Sequence, residues 1–191
     1  MPMTDIERLR DLLIAKSVKW GEFILASGKA SNLYVDARLT TMSPEGMTLI
    51  GRVALERLEH ENWNADSIGG LTLGADPVAY AISHTSATRS KPLRAFTVRK
   101  EAKTHGTGRR IEGPFMPGDR VVVTEDVITT GKSALQAIEA VMAEGGQVVG
   151  VLAVVDRDEG GREAIRQLGY PVISLVSRSE LVSASNDSDV V

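Results

Sequence analysis

Val121-Val122-Val123-Thr124-Glu125-Asp126-Val127-Ile128-Thr129-Thr130-Gly131-Lys132-Ser133 is the stretch whose reading decides the fold. Its valines are consecutive rather than alternating with polar residues, the pattern of a strand buried on both faces, as in a parallel sheet. Two adjacent acids end the strand, a hydroxyl-rich loop closes at Gly131, and a helix starts near Lys132. Strand, loop and helix in that order are one step of an α/β alternation, so the predicted class is α/β, doubly wound, with helices on both faces. Ligands of such sheets sit beyond the carboxyl ends of the strands, where this acid pair and loop lie.

The alternation extends both ways. Strands are expected at 67–69, 93–98, 120–124, 147–155 and 171–176, and helices near 77–87, 132–144 and 162–168, followed by a short terminal helix. Val148 to Val155 is a second continuous apolar run. Before residue 65 the pattern is helical. Thr4 and Glu7 have capping-box spacing ahead of a helix over 5–16, and Ser43 with Pro44 starts another through Glu59. Residues 1–182 read as one domain, and the polar stretch from Ser183 to Val191 as a frayed tail.

The chain has 191 residues, 42% hydrophobic and 25% charged, an ordinary balance for a domain with a real core. A net charge of -3 argues against a dedicated nucleic-acid binder. Cysteine is absent, which excludes disulfides and thiolate metal sites. The start is acidic and no apolar run reaches membrane-spanning length, so a cytoplasmic protein is expected.

Each part of the deciding stretch has a chemical use. The loop's backbone N–H groups, with the hydroxyls of Thr129, Thr130 and Ser133, face a helix N-terminus that favours a phosphate. Gly131 lets a ligand approach the backbone. Glu125 and Asp126 would repel a phosphate but suit two neighbouring ribose hydroxyls, so the segment reads a sugar with a phosphate at its far end. Gly131-Lys132-Ser133 is not a P-loop, because Asp126 stands where that motif needs glycine. Acids at a strand end can also be merely solvated, or belong to a phosphoacceptor domain. Here they run straight into the hydroxyl-rich loop.

A second segment, Arg99-Lys100-Glu101-Ala102-Lys103-Thr104-His105-Gly106, follows a predicted strand and precedes Gly108, Arg109, Arg110, Gly113, Pro114 and Pro117. From Arg94 to Arg110 there are six cations and one acid. A long loop with glycines and cations suits a diphosphate, although a charge run can be a solvated loop without function.

Taken together, the deciding stretch resembles the phosphoribosyl pyrophosphate signature of type I phosphoribosyltransferases. The basic segment resembles the mobile catalytic loop of orotate phosphoribosyltransferases. Phe23 to Asp36 looks like that family's N-terminal orotate-pocket segment, and Asp156-Arg157 matches its carboxylate-reading arginine. The resemblance covers roughly residues 20–181. It implies a central, mostly parallel sheet with an N-terminal hood segment over about 1–40 and a mobile loop. It also implies transfer of ribose 5-phosphate to orotate in a homodimer, with Arg99, Lys100, Lys103 and His105 acting across the interface.

In that reading the sugar-donor site comprises those four residues, the acids Glu125 and Asp126, and the run Val127, Ile128, Thr129, Thr130, Gly131, Lys132 and Ser133. Lys103, His105 and Asp126 are the catalytic candidates. Thr129, Arg157, Tyr34 and Val35 would bind orotate. Mg²⁺ would be carried mainly by the substrate, with no direct protein ligand. The sequence departs from the family at Ala26 and Gly74, where many relatives carry lysine, and at Glu125, Lys132 and Asn32. A purine phosphoribosyltransferase and a phosphoribosyl-diphosphate-sensing regulator are the alternative readings.

Overall fold

A computed structural model describes residues 2–24, 30–101 and 109–188. Helix α1 (Asp5–Ser17) starts with the expected capping box: the Thr4 hydroxyl accepts the Glu7 N–H, and the Glu7 carboxylate accepts the Thr4 N–H at 2.7 Å. Strands β1 (Val18–Ile24) and β2 (Ala30–Val35) pair antiparallel in a small sheet of their own, bulged between Trp20 and Phe23. After the short α2 (Arg38–Thr41) comes α3 (Pro44–His60), whose N-cap Ser43 accepts the Gly46 N–H at 3.1 Å.

The remaining elements alternate: β3 (Ser67–Leu71), α4 (Ala75–Ser86), β4 (Arg94–Val98), β5 (Ile111–Glu112), β6 (Arg120–Ile128), α5 (Lys132–Ala143), β7 (Gln147–Asp156), α6 (Gly161–Gln167), β8 (Val172–Ser177) and α7 (Arg178–Ser188). They build one six-stranded sheet in the order β5-β4-β3-β6-β7-β8, parallel except for β5 at the edge. The pleat of β6 explains its unbroken valines. Val121 and Val123 pack with Ala134, Ala137 and Ile138 of α5, while Val122 packs with Val78 and Ile82 of α4 on the other face. Each such side chain, fully buried, contributes about 1.5–3 kcal/mol relative to exposure. Leu9, Leu13 and Leu33 belong to the same core cluster as Val122, so the N-terminal elements pack on the main sheet.

From β3 the chain crosses through α4 toward one edge, and from β6 it winds through α5 and α6 toward the other. The strand order therefore reverses between neighbours β3 and β6, and a crevice opens beyond their carboxyl ends.

Three elements differ from the sequence reading. Strand β6 continues to Ile128 because β7 offers a partner that far, pairing Glu125 with Ala153 and Ile128 with Asp156. The acids thus lie inside the strand rather than at its end. Within the long loop after β4, Ile111 and Glu112 form β5, since Ile111 is buried against Val98 and finds a free edge there. Beyond Ser183, where fraying was expected, α7 continues to Ser188, anchored by the buried Leu181. Among the described residues no helix is long and apolar enough to cross a membrane.

Candidate functional site

Gly131, the N-cap of α5, sits at φ 80°, in the left-handed region that glycine enters without a Cβ penalty. No side chain caps this helix, so its first N–H groups point into a cavity of about 80 Å³ bordered by Glu125 and residues 127–134. Thr129, Thr130, Lys132 and Ser133 line it, as expected for an anion site. Ile128 borders it too, although its side chain is buried in the core. The loop is braced from outside, where the Gly161 N–H donates to the Thr129 carbonyl at 3.1 Å. A Cβ at Gly161 would meet that carbonyl at 2.6 Å, so α6 can press on the loop only through glycine.

A larger cavity of about 350 Å³ adjoins it and reaches from Tyr34 and Val35 to Lys100, Asp126 and Arg157. Glu125 and Thr129 border both cavities, and Asp126 only the larger. Glu125 is 5% exposed, and its Oε1 has no hydrogen-bond partner. Burial, reinforced by the neighbouring Asp126, pushes its carboxyl up to about 8. Burial also raises Asp126, opposed by the Val127 N–H that its Oδ1 accepts at 2.8 Å. A carboxyl raised this far keeps its proton to higher pH than an ordinary glutamate. A neutral acid can donate to a ribose hydroxyl as well as accept from one.

That shift gives a prediction. Below about 4.5 both folded and unfolded chains keep the Glu125 proton, and nothing is lost. Between there and about 8 only the unfolded chain ionises, so folding loses up to about 1.4 kcal/mol per pH unit, and the loss is constant above. Glu125→Gln removes this titration. Its Tm relative to the unsubstituted protein should rise progressively across that window, and parallel Tm profiles would show that Glu125 titrates normally.

Gly74 is the other position where a missing side chain shapes the site. A Cβ there would stand 2.4 Å from Asp126 Oδ1, so the carboxylate occupies the space that a lysine stem would need. Across the larger cavity, Asp36 and Arg38 form a pair at 2.8 Å. The Arg38 guanidinium holds the Asp36 carboxyl below its usual range. Sequence reading missed this pair, whose only signal was two opposite charges, Asp36 closing the predicted pocket segment and Arg38 just after it.

Arg157 leaves the carboxyl end of β7 almost fully buried. Its Nη2 donates to the Leu33 carbonyl at 3.2 Å and pairs with Glu159 at 3.0 Å, while its Nε has no partner. This is no surface ion pair: it pins β2 over the crevice and leaves a donor to spare. Arg178 adds a second tie, donating to Asn32 Oδ1 at 2.7 Å. Phe23 and Tyr34 stack on the small sheet with centroids 5.6 Å apart.

The basic segment is split. Lys100 lines the larger cavity of its own chain because it follows β4 directly, and β4 ends at the same crevice. Arg99 turns instead toward Glu112, at 3.7 Å. Lys103, His105 and Ala26 lie outside the described residues.

No protein-family model matches the chain. An orotate phosphoribosyltransferase of Aquifex aeolicus is 50% identical over 185 residues, covering 95% of this chain and 100% of the relative. The crystal structure of Mycobacterium tuberculosis orotate phosphoribosyltransferase in complex with Fe(III) dicitrate is similar with a TM-score of 0.82 and 45% identity, covering 93% of this chain and 99% of that one. A structure of the M. tuberculosis enzyme in complex with 5-phospho-alpha-D-ribosyl 1-diphosphate has a TM-score of 0.78 at 41% identity, with the same coverage of 93% and 99%.

Proposed function

Since the chain belongs to the orotate phosphoribosyltransferases, enzymes of pyrimidine biosynthesis, we propose how its own residues divide the work of that reaction. The reaction moves ribose 5-phosphate from 5-phosphoribosyl 1-diphosphate to orotate, giving orotidine 5'-monophosphate and diphosphate. The observation that carries the assignment is the junction of the two cavities at Glu125 and Thr129, which suits a sugar lying between a phosphate and a base.

The 5-phosphate is held by Thr129, Thr130, Gly131, Lys132 and Ser133 at the N-terminus of α5, with Val127 and Ile128 supplying the strand beneath. Glu125 and Asp126 bind the ribose hydroxyls. Orotate lies against Tyr34 and Val35, its carboxylate toward Arg157 and its ring within reach of Thr129. As the bond from C1′ to diphosphate lengthens, positive charge grows on the sugar ring and negative charge on the leaving group. Lys100 meets the leaving group from the same chain. Arg99, Lys103 and His105 reach it from the other subunit of a homodimer, as the family resemblance implies. Fixed cations at that place stabilise the transition state more than the ground state.

Among the described residues no group of three or more histidines or acids could hold a metal. An Mg²⁺ ion would be held mainly by substrate oxygens and water, with Asp36, Glu125 and Asp126 the acids that border the larger cavity. Bound there, the ion would neutralise diphosphate charge.

The test is orotate's ultraviolet absorbance followed with 5-phosphoribosyl 1-diphosphate, with and without Mg²⁺. A decrease requiring both donor and metal is expected. No decrease with orotate, together with turnover of adenine, would replace the orotate assignment.

A further inference from the structure

Glu144 follows the last turn of α5, where the helix dipole disfavours an acid. Its Oε1 nonetheless accepts two backbone N–H groups from a distant segment, those of Arg110 at 3.0 Å and Ile111 at 3.1 Å. Arg110 carries the connection onward. Its Nε and Nη2 each donate to the Arg99 carbonyl at 3.2 Å, and Nη2 also donates to the Lys100 carbonyl at 3.3 Å. The Arg99 N–H returns a bond to the Arg110 carbonyl at 2.8 Å. One carboxylate oxygen thus fixes the arm that returns to the sheet, and a guanidinium on that arm fixes the outgoing arm bearing Arg99 and Lys100.

The far end of α5 is the Gly131–Ser133 anion site, and the helix between is a rod roughly 18 Å long. We propose that Glu144 is a positioning residue for phosphoribosyl transfer, acting through Arg110 to hold the outgoing arm, and with it Lys100, at a set place relative to the phosphate-binding end of α5. The two anionic ends of the sugar donor then meet a single rigid unit rather than two independently moving parts. Displacing one by about an ångström can cost as much as a hundredfold in rate. The inference rests on the proposed reading of that arm as a ligand of the diphosphate.

The experiment compares the full-length enzyme with Glu144→Ala and Glu144→Gln, measuring kcat, both KM values and Tm. Glu144→Ala should lower kcat about tenfold and raise the KM of the sugar donor, leaving the KM of orotate unchanged because its wall is built from β2 and Arg157. Glu144→Gln should restore most of kcat, since the amide oxygen still accepts both N–H groups. A lower Tm with kcat intact would reduce Glu144 to a structural cap and overturn the proposal. So would a loss of kcat that glutamine fails to restore. Lys100→Ala, run in parallel, separates the two readings. If it impairs donor use while Glu144→Ala does not, only this inference fails. If it has no effect on donor use, the reading of the arm fails first.

Discussion

Arg157→Ala is expected to raise the KM for orotate about a hundredfold and to leave that for 5-phosphoribosyl 1-diphosphate nearly unchanged. The guanidinium is 7% exposed, so its pairing with a carboxylate is little screened by water. Its Nη2 already serves Leu33 and Glu159, and Arg157 lines the larger cavity, where its fixed charge can meet the carboxylate of the base. Losing such a pair costs about 3 kcal/mol, or about two decades in affinity. The substitution also frees the Leu33 carbonyl and leaves Glu159 without its cation, so Tm should fall and kinetics belong well below it. Arg157→Lys should recover only part of the affinity, because an ammonium cannot reproduce the fork that spans Leu33, Glu159 and a ligand. An unchanged orotate KM in the alanine variant would remove Arg157 from the base site.

Lys103→Ala is expected to lower kcat by about a hundred- to a thousandfold, the usual effect of deleting one preorganised group that faces developing charge. Its role follows from the resemblance of residues 99–106 to the family's catalytic loop and from the charge that departing diphosphate must gain. Because that charge is largest in the transition state, orotate binding should stay within about a factor of three. Near-normal turnover would take Lys103 out of the mechanism. Equal losses in orotate affinity and turnover would instead mean that the whole site had been disturbed.

Local chemistry was legible along the chain where a few consecutive residues carried it. The Val121–Val123 run, the hydroxyl-rich loop and Gly131 form the strand, turn and helix read from them, with a cavity at the helix N-terminus. The same holds for the Thr4–Glu7 capping box and the Ser43–Pro44 helix start, which depend on contacts within one turn. Arg157 was singled out by resemblance alone. Its burial, and its hold on β2 more than 120 positions earlier in the chain, belong to packing.

The sequence by itself determined the α/β class, the main alternation of strands and helices after residue 65 and the family, because periodicity, caps and contiguous motifs are properties of neighbouring residues. Only the tertiary structure decided that the Glu125 carboxyl is raised, since its shift arises from the sheet and helix that exclude water around it. It likewise decided that Lys100 faces its own chain's cavity, that Asp36 and Arg38 border the same space, and that Glu144 grips Arg110 from 34 residues away. Burial, charge state and long-range hydrogen bonds exist only once distant segments are brought together, and no local pattern encodes which ones will meet.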